Sequence, residues 1–156
     1  MQIITFKVYG TPKPAGSKRA FPIRRGGVFT GRVAVVDDCA KSRDWKQQVS
    51  SAAAQAMSGI VTGLIEGPLK LKVCFYLSRP IGHFRTGAHA GTLRQSAPRW
   101  PAVRPDLTKL VRAVEDAMLH VVYRDDAQIV CQEIAKRYAS SQTYVEIEVS
   151  SIPEIL

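Results

Sequence analysis

Hydrophobic and polar positions along the chain fall into short runs with two different periods. Residues 2–9, QIITFKVY, are rich in β-branched and aromatic side chains and predict a strand. VFTGRVAVVDD has the composition of a hairpin arm. Over residues 39–57 the period changes. Trp45, Val49, Ala52, Ala53 and Ala56 recur at helical spacing, Asp38 can cap the start and Gly59 follows the end. Strand alternation returns in GPLKLKVCFYLSRP, where Leu69, Leu71, Val73 and Phe75 alternate with more polar neighbours. A second helix is predicted over about 106–119, with Leu107, Leu110, Val111, Val114, Ala117 and Met118 as its apolar stripe. VVYRDDAQIV then turns at Asp125–Asp126 and re-enters a strand. Two closing strands, about 128–138 and 142–150, flank the turn SSQ and predict a hairpin.

The order strand, helix, strand, helix, hairpin predicts one α/β (α+β) domain over residues 1–156. Its sheet is mixed and mainly antiparallel, with two main helices packed on it. The chain has 156 residues, 46% of them apolar, which suffices for one real core.

Charge sharpens this picture. The formal net charge is +9, and a protein this basic usually meets a polyanion, either nucleic acid or an anionic membrane. No apolar run approaches the roughly 20 residues of a membrane span. The N-terminus reads as a strand and lacks the features of a signal peptide, so nucleic acid is the favoured partner. Cys39, Cys74 and Cys131 are odd in number and far apart, with no zinc spacing. They are expected to be small buried hydrophobes in a cytoplasmic protein.

The cations are not evenly spread. GTPKPAGSKRAFPIRRGG carries Lys13, Lys18, Arg19, Arg24 and Arg25, and the first acid of the chain is Asp37. Residues 79–104 show no sustained period and hold Arg79, Arg85, Arg94, Arg99 and Arg104 among His83, Phe84, His89 and Trp100. A long irregular stretch inside a compact domain is usually functional or disordered. Basic groups mixed with aromatics suit phosphate contacts and stacking on an unpaired base. The two basic loops, 11–33 and 79–104, are the expected DNA grip.

Acids are scarce in such a chain, so their positions matter. No acid lies between Glu66 and Asp106. Glu146 and Glu148 fall on the outer face of a late strand, and Asp37 and Asp38 fall where a helix cap belongs. Glu66 and Glu154 fall in a loop and at the tail, and the candidates taken from the rest are Asp106, Glu115, Asp116, Asp125 and Asp126. Asp116 stands about three turns, roughly 15 Å, beyond Asp106 on a straight helix, so those two cannot share an ion. If HVVY runs back along the helix, Asp125 and Asp126 return to the level of Asp106, and three carboxylates converge on a hard cation. Each motif also has an ordinary structural reading, Asp106 as a helix cap and Asp125–Asp126 as a turn.

RPDLTKLVRAVEDAM, followed closely by VVYRDDAQIV, resembles the core of the RusA family of Holliday junction resolvases. That core has a helix opening with Asp-Leu-Asp-Asn-Leu, a basic residue one turn on, an Asp-Ala-Leu-like ending, and Asp-Asp-Ala-Gln before a strand. GTPKPAGSKRAFP is similar to the basic loop of phage-type members. The resemblance implies a homodimer that cuts four-way DNA junctions with Mg2+, for which Mn2+ can substitute, and needs no organic cofactor. By position, Asp106 and Asp126 match catalytic, metal-holding aspartates, and Asp125 is a further candidate ligand. Arg112 stands where members carry a catalytic lysine. One departure matters: the family's second aspartate is Thr108 here, a neutral and weaker ligand able at most to hold a metal-bound water. Lys109 follows in place of an asparagine and joins the expected DNA contacts. The competing expectation is a non-catalytic or weakly catalytic binder of branched DNA with the same fold.

Overall fold

The computed structural model describes residues 1–16, 18–37, 40–59 and 62–153. Asp38 and Cys39, named above as a cap and as a buried thiol, lie outside the described residues. The chain forms strand β1 (Ile3–Tyr9), strands β2 (Lys18–Arg25) and β3 (Val28–Asp37), helix α1 (Ala40–Ser58), strand β4 (Leu69–Leu77), helix α2 (Leu107–Met118), and strands β5 (Ile129–Tyr138) and β6 (Tyr144–Ser151). The main sheet has the order β1-β6-β4-β5. Its β1–β6 and β6–β4 ladders are antiparallel and its β4–β5 ladder is parallel. The expected mixed, mainly antiparallel sheet with two helices is therefore the fold.

One face of this sheet is the core. Ile4, Phe6 and Val8 of β1, Leu69, Leu71, Val73 and Phe75 of β4, and Val145, Ile147 and Val149 of β6 are buried there. Their period of two is the reason: alternate side chains of a strand share one face. Both helices cover that face. Helix α1 contributes Trp45, Val49, Ala53 and Met57, and α2 contributes Leu110, Val111, Ala113, Val114, Ala117 and Met118. Lys46 of α1 and Asp116 of α2 form an ion pair at 2.7 Å across the helix pair. Asp116 is thus a structural acid.

Four expectations are corrected. First, β5 and β6 are consecutive but are not a hairpin; β4 lies between them. Chain adjacency favours a hairpin, but β6 pairs antiparallel with β1 on one side and β4 on the other, with Val145, Ile147 and Val149 fully buried on its core face. The chain leaves β5 at Tyr138 and crosses the end of β4, where the Ala139 N–H donates to the Leu77 carbonyl at 2.8 Å.

Second, the basic segment 11–33 is not one loop. Its second half is the β2–β3 ribbon, turning at Gly26 and Gly27, both at positive φ. Phe21, Val28, Phe29, Val33 and Val35 of this ribbon are exposed.

Third, HVVY does not run back along α2. The Val121 and Val122 N–H groups both donate to the Met118 carbonyl, and the His120 N–H donates to the Tyr123 carbonyl at 2.7 Å. His120 takes the left-handed conformation (φ 61) that ends a helix. The chain closes a tight turn instead of extending.

Fourth, Cys131 is exposed and Cys74 only partly buried. Cys131 sits on β5, an edge strand on which Val130, Cys131, Gln132 and Glu133 all face solvent.

Candidate active site and nucleic-acid surface

Asp106 is the residue before the first turn of α2. Its backbone is extended (φ -68, ψ 134) and its carbonyl accepts from the Leu110 N–H at 3.1 Å. Its side chain caps nothing. The carboxylate is 57% exposed and stands 3.9 Å from Lys109 Nζ. A helix start normally recruits a side chain to its unpaired N–H groups, so an aspartate that declines this role keeps both oxygens available. The backbone around it is held firmly. Lys136 Nζ on β5 donates to the Val103 carbonyl at 2.7 Å and the Pro105 carbonyl at 2.9 Å. Ala15 N–H, from the segment after β1, donates to the Lys109 carbonyl at 2.8 Å. Lys13 lies in that segment and is partly buried.

The Asp-Asp-Ala-Gln stretch divides its labour. Asp125 Oδ1 accepts from the Ala127 N–H at 2.9 Å, and Gln128 Oε1 accepts from the Asp125 N–H at 3.2 Å and the Arg124 N–H at 3.0 Å. This is a capping box on the single 3-10 turn Asp126–Gln128. Gln128 Nε2 donates to the carbonyls of Ile65 and Gly67 at 3.0 and 3.1 Å, tying the turn to the segment before β4. Asp125 therefore serves the backbone, as its ordinary structural reading anticipates. The Asp126 carbonyl accepts from the Ile129 N–H, while its exposed side chain makes no hydrogen bond or ion pair among the described residues.

Asp126 acts on a candidate acid to which the sequence assigned no role. Glu115, half-buried on α2, has its carboxyl held above the usual range. Burial is the largest cause, followed by the negative charges of Asp126 and Asp116; Arg112 and a hydrogen bond from Gln132 on β5 oppose the shift. Burial first, then the negative charges of Glu115, Asp126 and Asp116, hold the Tyr123 hydroxyl well above its ordinary value, and that hydroxyl donates to the Glu115 carbonyl at 2.9 Å. The signal for Glu115 was present in the spacing. Thr108, Arg112 and Glu115 recur at intervals of four and three residues, so they share one helix face.

The three carboxylates drawn together from the sequence are not gathered here. Among the described residues no three Asp, Glu, His or Cys side chains are arranged to hold a metal ion. The tight turn after α2 is the physical reason. The negative charge of Asp126 reaches Glu115 on α2. The donor chemistry still fits a hard divalent cation. Its oxygens come from carboxylates, and Glu115 and Asp126 repel one another closely enough to raise a pKa.

The cations expected on DNA differ in their freedom. Arg85, Arg99 and Arg104 in the 79–104 segment, Arg24 and Arg25 on the ribbon, and Lys109 and Arg112 on α2 are exposed. Lys18 and Arg19 open β2; their side chains lie outside the described part. Arg79 and Arg94 hold the segment together. Arg79 Nη1 donates to the Pro98 carbonyl at 2.8 Å and its guanidinium lies 4.1 Å from the Tyr138 ring centre. Arg94 Nε donates to the Phe84 carbonyl at 2.9 Å. Backbone bonds from Arg85 to Thr92 and from Arg94 to His83 close the same stretch. The segment lacks regular structure beyond two short 3-10 turns, yet it is pinned by its own polar groups. Lys136 and Arg137, both on β5, add cations that sequence reasoning did not assign.

Comparison with known proteins gives this surface its class. Residues 12–150 match the family described as Endodeoxyribonuclease RusA. The chain belongs to that family of Holliday junction resolvase-type endonucleases, metal-dependent enzymes that bind branched DNA. It is also 31% identical over 157 residues to a protein of Bacillus subtilis (strain 168) described as "Uncharacterized protein YqaN", covering 97% of this chain and 99% of that one. Among the described residues no helix is long and apolar enough to cross a membrane.

Proposed function

We propose that this protein is a Mg2+-dependent endodeoxyribonuclease, for which Mn2+ can substitute, that resolves four-way DNA junctions by phosphodiester hydrolysis. The observation that carries this reading is the contrast within its motifs. Asp125 and Gln128 are engaged with the backbone, whereas the Asp106 side chain caps nothing and the side chains of Asp126 and Arg112 make no polar bond among the described residues. Polar groups left free in a cationic surface are the ones available to a substrate and its metal.

Asp106 and Asp126 would hold the cation, with Asp125 as a further carboxylate beside Asp126. Thr108, one turn into the helix, offers a neutral hydroxyl. A bound divalent ion supplies positive charge to the phosphoryl oxygens and favours ionisation of the attacking water. Arg112 presents a planar fork of N–H donors to the charge that builds on the phosphate, and Lys109 adds a point charge. Lys13, Arg85, Arg99 and Arg104, with Arg24 and Arg25 on the ribbon, contact the phosphates of the arms. Two copies related by a twofold axis would bring two such sites to opposite strands of a symmetric substrate.

One substitution favours a weaker second reading. Thr108 replaces a family carboxylate, so the chain would bind branched DNA and cut it slowly. Incubating a labelled four-way junction, a flap and a linear duplex with protein and Mg2+ separates the readings. Paired symmetric nicks confined to the junction support resolution. A band shift without nicks supports the binder, and cutting of all three substrates overturns junction specificity.

A further inference from the structure

Trp45 and Trp100 are the two tryptophans of the chain, and they are placed oppositely. Trp45 is 2% exposed in the core, while Trp100 is 47% exposed in the basic segment. Apolar packing accounts for the first and leaves the second unexplained. The backbone bearing Trp100 is fixed on both sides. The Pro98 carbonyl is held by Arg79, itself stacked on Tyr138. The Ala102 N–H donates to the Trp100 carbonyl at 2.9 Å. Lys136 holds the carbonyls of Val103 and Pro105. The indole is thus presented from a rigid support.

Its neighbours are cations. The Arg137 guanidinium lies 5.1 Å from the ring centre and that of Arg99 lies 5.7 Å away. An aromatic face flanked by two guanidinium groups suits a ligand that has both a flat π-surface and negative charge beside it. A nucleotide has both. In a duplex the base faces are covered by their neighbours. At a branch point or in a single strand they are open, and stacking on an aromatic side chain is favourable. Trp100 also lies six residues before Asp106 on the same anchored stretch, which would bring a stacked base near the proposed site of cutting.

We propose that Trp100, with Arg99 and Arg137 close to its ring, is a stacking platform for an unpaired DNA base at the branch point. The proposal rests on the reading that the chain acts on branched DNA, and it names the part of the substrate that is gripped.

The test uses the full chain, the variants Trp100→Ala and Trp100→Phe, and three DNAs carrying 2-aminopurine. These are a four-way junction labelled at the branch, a linear duplex of the same sequence, and a single strand. Quenching of 2-aminopurine reports stacking, and the titration gives affinity. Wild-type protein is expected to quench the label in the junction and the single strand. Trp100→Ala loses that quenching and about tenfold in junction affinity, with duplex affinity unchanged. Trp100→Phe keeps most of both. Equal quenching by wild type and Trp100→Ala overturns the platform, as does an equal loss of affinity on duplex. A change in sedimentation of the DNA-free Trp100→Ala protein, with quenching intact, assigns the indole to a protein contact instead. If the wild type shows no junction preference, the resolvase reading fails, and the single-strand arm still decides whether Trp100 stacks on a base.

Discussion

Glu115 on α2 and Asp126 on the turn before β5 repel one another, and after burial that repulsion is part of what holds the Glu115 carboxyl above its usual range. The folded state therefore favours protonated Glu115. It binds more protons there than the unfolded chain does, so this group's contribution to stability is present at low pH and is lost as pH rises through the raised value. Glu115→Gln removes the charge while keeping an oxygen for Gln132. The variant is expected to melt at a higher temperature than wild type at pH 7–8. The gap should close at or below the ordinary carboxylate range. Thermal denaturation across pH checks this, and a variant less stable than wild type at pH 8 contradicts it.

Gln128 makes four polar contacts: two donated to the carbonyls of Ile65 and Gly67 and two accepted from the N–H groups of Arg124 and Asp125. Gln128→Ala leaves all of these partners without Gln128, at a partly exposed place where water replaces some of them. A loss of about 1–3 kcal/mol in urea unfolding is expected. The variant should also cut DNA poorly at near-normal affinity, since the turn that carries Asp126 loses its tie. Unchanged unfolding would show that the capping box is dispensable.

Thr108 shares a helix face with Arg112 and Glu115. Thr108→Asp restores the carboxylate of the family pattern. Its expected effect is to lower the Mg2+ concentration needed for half-maximal cleavage and to raise the rate at limiting metal. A cleavage assay over a metal titration reads both. No change in the metal requirement would show that the chain has settled on another ligand set.

The β2–β3 ribbon carries Arg24 and Arg25 on an exposed two-stranded arm. If both touch phosphates, the double change to alanine lowers the slope of log K against log salt by about 2. It should do so on junction and duplex alike. Fluorescence anisotropy at several salt concentrations measures the slope, and an unaltered slope removes the ribbon from the DNA contact surface.

Long periodic elements were legible in the sequence. The helix around Trp45 and Val49, the helix ending at Met118 and the strand from Leu69 were all set by burial of one face, which the pattern encodes directly. Strand order was not. Val145, Ile147 and Val149 announce a strand with one buried face, but nothing local says that β4 rather than β5 is its neighbour. The site was half legible for a similar reason. Asp106 and Asp126 stand out as scarce acids, and the family resemblance implies Arg112. The position of Asp126 along α2 depends on whether four residues after Met118 extend or turn back. The carbonyl of Met118 decides that by accepting two N–H groups, a choice that composition does not reveal. Glu115 stands among the scarce acids, but neither motif assigns it a role. Its spacing from Arg112 was the available clue.

The central claim is that Asp106 and Asp126 together hold the metal that drives cutting. The most direct measurement compares wild type with Asp106→Asn and Asp126→Asn on one labelled four-way junction, for binding without metal and for cleavage with Mg2+. Both variants are predicted to bind the junction within about threefold of wild type and to lose cleavage by at least about a thousandfold, roughly 4 kcal/mol of transition-state stabilisation. Cleavage at the wild-type rate by either variant contradicts the claim.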